Sequence, residues 1–386
     1  DRVATFAWNN YRHLELYFAI PCIGAVVHTV NIRLAADQIT YIINHAEDQA
    51  LFFDPSLTPL VKQFAPHLTT VKHFVAMCEN GVEELNAASY EQLLAEQPKD
   101  FVLPKIENEN MAAGLCYTSG TTGHPKGVLY SHRSVYLHSM AIAMADNMGL
   151  CERDVVFPVV PMFHANAWGL PYAATMVGAS QVFPNHFMQP RDIIQLISEE
   201  KVTLTAGVPT IWLGIMAILD HEKFNLENLR SIVIGGSAVP ASMIEYFQKN
   251  YDIPVIQAWG MTELSPLGSM AKLKSSLLNL SPEQQMNYRT KQGIPAVCVE
   301  IRAVDDDGKV VPWDGETRGE LQVKGPWIAK SYYETTERAE AFVDGWFSTG
   351  DVVTIDQEGY IAIVDRTKDL IKSGGEWISS VDLENA

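Results

Sequence analysis

The chain has 386 residues, 47% of them apolar and 19% charged, enough for two or three packed subdomains and unlike a disordered chain. Acidic residues outnumber basic ones 46 to 28, for a net charge of −18. That balance argues against a protein that grips nucleic acid through a basic excess. It also requires any bound phosphate to be met by local cations, glycine-rich backbone or a metal.

Five dispersed cysteines, Cys22, Cys78, Cys116, Cys151 and Cys298, form no CxxC pair. They speak against a disulfide framework or a zinc site and for reduced thiols in a cytoplasmic protein. The longest apolar run, Leu16 to Val27, contains Pro21 and is too short to span a bilayer; no secretory signal pattern is visible.

In chain order, Asp1-Arg-Val-Ala-Thr-Phe opens inside an expected strand. A helix is expected over 11–20, a strand over 25–30, a helix over 37–45 and a strand over 50–54. Residues 80–110 read as an acidic, irregular surface connection. The short apolar strand Ala112-Ala-Gly-Leu-Cys-Tyr117 enters a Gly/Thr-rich loop. Helices are then expected over 131–147, 169–177, 191–200, 211–219 and 242–249. They alternate with strands over 155–160, 180–183, 204–208, 231–234 and 255–258. This alternation predicts an α/β fold with doubly wound, helix-covered sheets. From about residue 290 the pattern changes to strands over 297–304, 319–324, 346–349 and 361–364, divided by turn signals such as Asp305-Asp-Asp-Gly308, which predicts a smaller β-rich subdomain. The end, Val381-Asp-Leu-Glu-Asn-Ala386, reads as the first residues of a helix too short to be stable alone. Both ends point to a piece of a longer protein.

The loop Thr118-Ser-Gly-Thr-Thr-Gly-His-Pro-Lys-Gly127 holds three glycines, four hydroxyl residues and one lysine. Glycines bring backbone N–H groups to an anion, hydroxyls donate to phosphate oxygens and Lys126 supplies charge. It is not a Walker loop, because His124-Pro125 follows Gly123. The order Ser-Gly-Thr-Thr-Gly-x-Pro-Lys-Gly resembles the signature loop of the adenylate-forming superfamily. Further motifs of that superfamily follow in order: Gly235-Gly-Ser-Ala238, Gln257-Ala-Trp-Gly-Met-Thr-Glu263, Ser348-Thr-Gly-Asp351 and Asp365-Arg-Thr-Lys-Asp-Leu-Ile-Lys-Ser-Gly-Gly375.

The resemblance implies an N-terminal adenylation domain over 1–365 and a hinge with the start of a C-terminal domain over 366–386. It implies ATP and Mg²⁺ at Thr118, Ser119, Gly120, Thr121, Thr122, Gly123 and Lys126, with adenine near Gly235, Gly236, Ser237, Ala238, Gln257, Ala258, Trp259, Gly260 and Met261. Thr262 and Glu263 follow, Glu263 facing Mg²⁺ together with a loop threonine; Thr118, Thr121 and Thr122 remain open for that part. Asp351 is implied for the ribose hydroxyls and Arg366 for the ribose or α-phosphate. Lys368 marks the hinge. Lys372, Gly374, Gly375 and Trp377 belong to the part that meets CoA. The family's catalytic lysine for adenylation lies beyond residue 386.

Pro161-Met-Phe-His-Ala-Asn-Ala-Trp168 resembles the branch acting on medium- and long-chain fatty acids. There His164 borders the acyl carboxylate and Trp168 gates an apolar tunnel, to which Gly207, Val208 and Pro209 are fitted. The implied reaction joins fatty acid, ATP and CoA, with a homodimer also known in this branch. The rival readings are an adenylate former with another acid or acceptor (an aryl-CoA or carrier-protein ligase, or a luciferase-like enzyme) and an ATP- and acyl-binding fragment with little activity.

Overall fold

In the computed structural model, residues 1–118, 124–366, 371–373 and 376–378 are described. A first sheet of seven strands has the order Ala88–Ser89, His73–Ala76, Ala50–Phe53, Arg2–Phe6, Val26–Thr29, Ala112–Tyr117 and Gly127–Ser131. All its pairs are parallel except the last, where Tyr117 faces Gly127. The strand Gly127–Ser131 was not expected. It makes the Gly/Thr-rich loop the connection of an antiparallel pair, closed by Thr118 N–H donating to Lys126 O at 2.9 Å. Such a loop does not lead straight into a helix N-terminus, so an anion bound there would be met by the loop's own donors and Lys126. The acidic stretch after residue 80 is also more ordered than expected, with Ser89 capping a helix over Tyr90–Ala95.

The second sheet runs Ser180–Gln181, Val155–Pro158, Leu204–Gly207, Ser231–Gly235, Val255–Gly260, Leu267–Met270 and Ile294–Pro295. It is parallel up to Val255–Gly260 and antiparallel beyond. Alternate side chains of its strands enter two different cores. Phe157, Ile232, Ile234 and Val255 pack with the helices Pro190–Glu199, Pro209–Leu219 and Ala241–Tyr251. Val156, Val233 and Ile256 pack with Leu170, Ala173 and Ala174 of the helix Leu170–Val177. A two-residue period buried on both faces is what a helix-covered parallel sheet requires. The helix Pro190–Glu199 illustrates the local logic. Proline takes its first position, Asp192 its first turn, and Ile193, Ile194 and Ile197 share its buried face. Each such isoleucine contributes up to roughly 2–3 kcal/mol.

The third sheet is antiparallel: Glu300–Val304, Gly319–Lys324, Trp346–Ile355 and Phe342–Val343, with Ile361–Arg366 also paired to Trp346–Ile355. Its Leu321, Val323 and Val353 join the same core as Val233. A hairpin of Ile371–Ser373 and Glu376–Ile378 follows.

The N-terminal ends of three parallel strands of the second sheet are laced by charge. Asp154 accepts from Arg230 Nε at 2.8 Å, Arg230 Nη2 at 2.9 Å and Thr203 Oγ1 at 2.6 Å. Burial opposes ionisation of Asp154, but the Arg230 and Thr203 hydrogen bonds prevail and hold it at about 2. A carboxyl depressed this way contributes stability above its unfolded value that is lost as pH falls through about 2. R230A is expected to cost about 2 kcal/mol in denaturant melts at neutral pH, less than a fully buried pair because Arg230 is partly wet. The cost should shrink below pH ~3.8. An unchanged melt would show that the lacing is dispensable.

Candidate functional site

The C-terminal ends of the parallel strands in the second sheet meet at an apolar cavity, where open α/β sheets bind ligands. Its walls come from Val208, Gly235-Gly236, Ala258 to Thr262, Pro266-Leu267, the 160–168 segment and Met148. Gly235 cannot carry a side chain: a Cβ there would lie 2.6 Å from Ala258 O and 3.1 Å from the Trp168 ring. Gly235→Ala is therefore expected to push the strand Val255–Gly260 or Trp168 out of place and cut activity at least ~10²-fold with little change in far-UV circular dichroism. Wild-type rates in that variant would contradict the close approach.

On one side of the cavity Trp259, which is buried, donates Nε1–H to Asp351 Oδ2 at 3.0 Å. Arg366 Nε lies 3.0 Å from Asp351 Oδ1. The antiparallel register puts Asp351 opposite Arg366, which is why residues fifteen positions apart in sequence touch. Burial raises the Asp351 carboxyl pKa; Arg366 and the Trp259 hydrogen bond offset only part of that. Both Asp351 oxygens thus have partners, and ribose hydroxyls would have to share or displace them. The Trp259 ring lies so close to Gly268 that a Cβ there would sit 2.4 Å from it, which restricts one face for stacking. Gln257 does not line the cavity. Its Oε1 accepts from Val239 N–H at 2.7 Å and so pins the exposed loop of Gly236, Ser237 and Ala238.

Glu263 is buried, and Tyr332 donates to its Oε1 at 2.6 Å. Its carbonyl accepts from Ala329 N–H at 2.8 Å, and the Thr262 carbonyl accepts from Tyr130 OH at 2.7 Å. Tyr332 thus holds the carboxylate itself, while Ala329 and the Tyr130 strand hold the backbone that carries it. Burial first, and then Glu263, raises the Tyr332 pKa, so the phenol stays a donor. A rigid carboxylate with Oε2 to spare suits a hard divalent cation. Among the described residues no cluster of three His, Cys, Asp or Glu side chains forms a protein cage. Mg²⁺ at Glu263 would thus share its coordination with phosphate and water, as it usually does. The Thr118 hydroxyl accepts from Lys126 N–H at 3.2 Å, and Lys126 Nζ lies 3.1 Å from the exposed Glu337. Lys126 is largely covered but Glu337 is exposed, so solvent weakens the pair and a bound polyphosphate would compete with Glu337 for Lys126.

The 160–168 wall of the cavity leads into an unusual backbone. Ala165, Asn166, Ala167, Trp168 and Gly169 have φ of 43, 51, 49, 57 and 73°, one turn of left-handed helix closed by Ala167 N–His164 O and Gly169 N–Asn166 O bonds. Each non-glycine residue there costs about 1–2 kcal/mol. Gly169 is required twice over, by its φ and because a Cβ would meet the His138 ring at 2.6 Å. His164 precedes the turn and lines the cavity; although its side chain reaches the surface, desolvation by the surrounding protein first, then Arg33, lowers its pKa. Val208 lines the cavity, whereas Gly207 and Pro209 are buried behind it, Gly207 against the Trp212 indole.

Ser119, Gly120, Thr121, Thr122, Gly123, Lys368, Gly374 and Gly375 lie outside the described residues, as do the side chains of Lys372 and Trp377. Residues without a sequence signal also join the site: Tyr332 on Glu263, Arg33 beside His164, and Met148 in the cavity wall. Each comes from a distant loop or turn, where no periodicity marks it.

The profile of the AMP-binding enzymes matches residues 1–333. The chain belongs to the AMP-binding enzymes, and among them to the acyl-CoA ligases. It is 50% identical over its whole length to a long-chain-fatty-acid–CoA ligase of Thermus thermophilus, covering 70% of that protein. It is 49% identical, again over its whole length, to a 3-methylmercaptopropionyl-CoA ligase of Ruegeria lacuscaerulensis, covering 72% of it. The crystal structure of the anthranilate CoA ligase AuaEII in complex with anthranoyl-AMP superposes with a TM-score of 0.87 at 25% identity, over 100% of this chain and 71% of that one. ATP with Mg²⁺ and CoA are the co-substrates of this AMP-binding enzyme. Among the described residues no helix is long and apolar enough to cross a membrane.

Proposed function

We propose that this acyl-CoA ligase activates a medium- or long-chain fatty acid through acyl-AMP and passes the acyl group to CoA. The carboxylate attacks the α-phosphorus of ATP and releases pyrophosphate. The CoA thiolate then attacks the acyl carbonyl and releases AMP. The observation that carries the reading is the cavity itself, whose lining is largely apolar, with Trp168 at one side and Trp259 and Thr262, neighbours of Asp351 and Glu263, at the other. Lys126, the loop hydroxyls and Arg366 offset charge developing on the phosphates; Asp351 takes the ribose. Bound at Glu263, Mg²⁺ would neutralise phosphate charge. The protein's contribution is placement and charge, without a covalent intermediate of its own. Residues 1–365 form the adenylation domain in this reading. Residues from 366 on, with Lys368 as hinge, begin the domain that brings Lys372, Gly374, Gly375 and Trp377 to CoA.

A second reading, a short thioether acid, is favoured by the Trp168 ring lying against Gly235 within the cavity lining and by the Ruegeria relative. Pyrophosphate release with acids from butyrate to palmitate and with 3-methylmercaptopropionate, with and without CoA, separates the two. Higher kcat/KM for octanoate or longer acids supports the first. Activity confined to the thioether acid overturns it.

A further inference from the structure

We propose that Asn166 is the positioning residue that holds the left-handed turn and thereby sets which acyl chains the pocket accepts; this rests on the acyl-activating reading above. Trp168 is the last non-glycine residue of that turn, and its ring tip reaches Gly235. Whatever fixes the turn therefore fixes one wall of the acyl pocket.

Asn166 is the member of the turn equipped to do so. Asparagine enters the left-handed region more readily than alanine or tryptophan. Its side chain is also buried and held at both ends. Oδ1 accepts from the Cys116 thiol at 2.6 Å, and Nδ2 donates to Tyr172 OH at 3.2 Å. Tyr172 stacks on Tyr17 with centroids 5.2 Å apart, and Tyr17 OH donates to Met162 O, just before the turn. The turn is thus pinned by the strand Ala112–Tyr117 on one side and by the helices Tyr11–Cys22 and Leu170–Val177 on the other. Ala165 and Ala167 carry a Cβ that opposes the conformation and no polar group that could hold it. Where residue 166 neither tolerates the left-handed region nor makes these contacts, the backbone relaxes toward right-handed geometry and Trp168 leaves Gly235. Asp351, Arg366 and Glu263 sit on other elements, so the nucleotide side stays as it is.

The test compares Asn166→Ala with Asn166→Gly in the full chain. Alanine resists the left-handed region and glycine does not. For N166A, the ratio of kcat/KM between short and long acids should shift by roughly tenfold or more while KM for ATP stays within about twofold. N166G should lie closer to wild type than N166A, although it removes more of the side chain. A role in packing or hydrogen bonding alone predicts the reverse order. An activity-independent readout is the near-UV circular dichroism band of Trp168, defined by subtracting the W168F spectrum. It should vanish in N166A and persist in N166G. A wild-type acyl profile in N166A, or N166G falling further from wild type than N166A, overturns the proposal. If the wild-type protein releases pyrophosphate with no acid, the acyl-activating reading fails, and the dichroism order still decides the part played by Asn166.

Discussion

Replacing Glu263 with glutamine is expected to lower Mg²⁺-dependent pyrophosphate release by roughly 10²–10³-fold, the loss typical of removing one preorganised electrostatic contact. The substitution keeps the size of the side chain and an acceptor for Tyr332, whose hydroxyl lies 2.6 Å from Oε1. It removes the charge. Folding should therefore survive, and the thermal melt serves as the control. Tyr332→Phe probes the support behind the carboxylate. It leaves the charge but frees the side chain to rotate, so the apparent Mg²⁺ affinity should fall by about 10–100-fold, the usual effect of losing a residue that orients a metal ligand. Rates in E263Q that keep the wild-type Mg²⁺ dependence would remove Glu263 from the metal site.

For Asp351→Asn, activity and stability should part. Hydrogen bonds to a charged acceptor contribute about 1.5–3 kcal/mol, so KM for ATP should rise about 10–100-fold if Asp351 holds the ribose. Stability at neutral pH should stay the same or rise. The reason is the raised Asp351 pKa: burial penalises the carboxylate more than half-exposed Arg366 and the Trp259 N–H repay. A carboxyl with a raised folded pKa contributes stability that is full below its ordinary value of 3.8 and is lost as pH rises through the folded value. The D351N variant has nothing to titrate at that position. Wild type should therefore gain on the variant in acid, and the variant should draw level or lead at neutral pH. Melts of both proteins across that range check the sign. A variant that is less stable at neutral pH than in acid, relative to wild type, would show that the ion pair outweighs burial.

Much of the second sheet was readable in the sequence because its local signals agree. Apolar runs such as Ser231–Gly235 are bounded by glycine or proline, and the helices between them carry one apolar face and an N-terminal proline. The strand Gly127–Ser131 was missed because five residues beside a helix cap carry little periodicity. Leu267–Met270 was missed for a similar reason: it follows a tight turn after Glu263 and pairs antiparallel to Val255–Gly260, with a bulge at Trp259/Gly260. Of the candidate site, the glycines and charged residues stood out by type. The sequence did not distinguish Val208, which faces the cavity, from Gly207 and Pro209, which support it.

The chain by itself determined which groups are available and in what order: the Thr118–Gly127 loop, Glu263 after an aromatic strand end, Asp351, Arg366, and an apolar acyl segment ending at Trp168. Such features are local, set by residue type and spacing. Tertiary structure alone decided which of them meet. The register of two antiparallel strands puts Arg366 on Asp351, and a fold-back of 69 residues puts Tyr332 on Glu263. The handedness of the Ala165–Gly169 turn belongs to the same class. Its backbone is unfavourable taken alone, and Cys116, Tyr172 and the His138 ring surround it, contacts that no local pattern encodes.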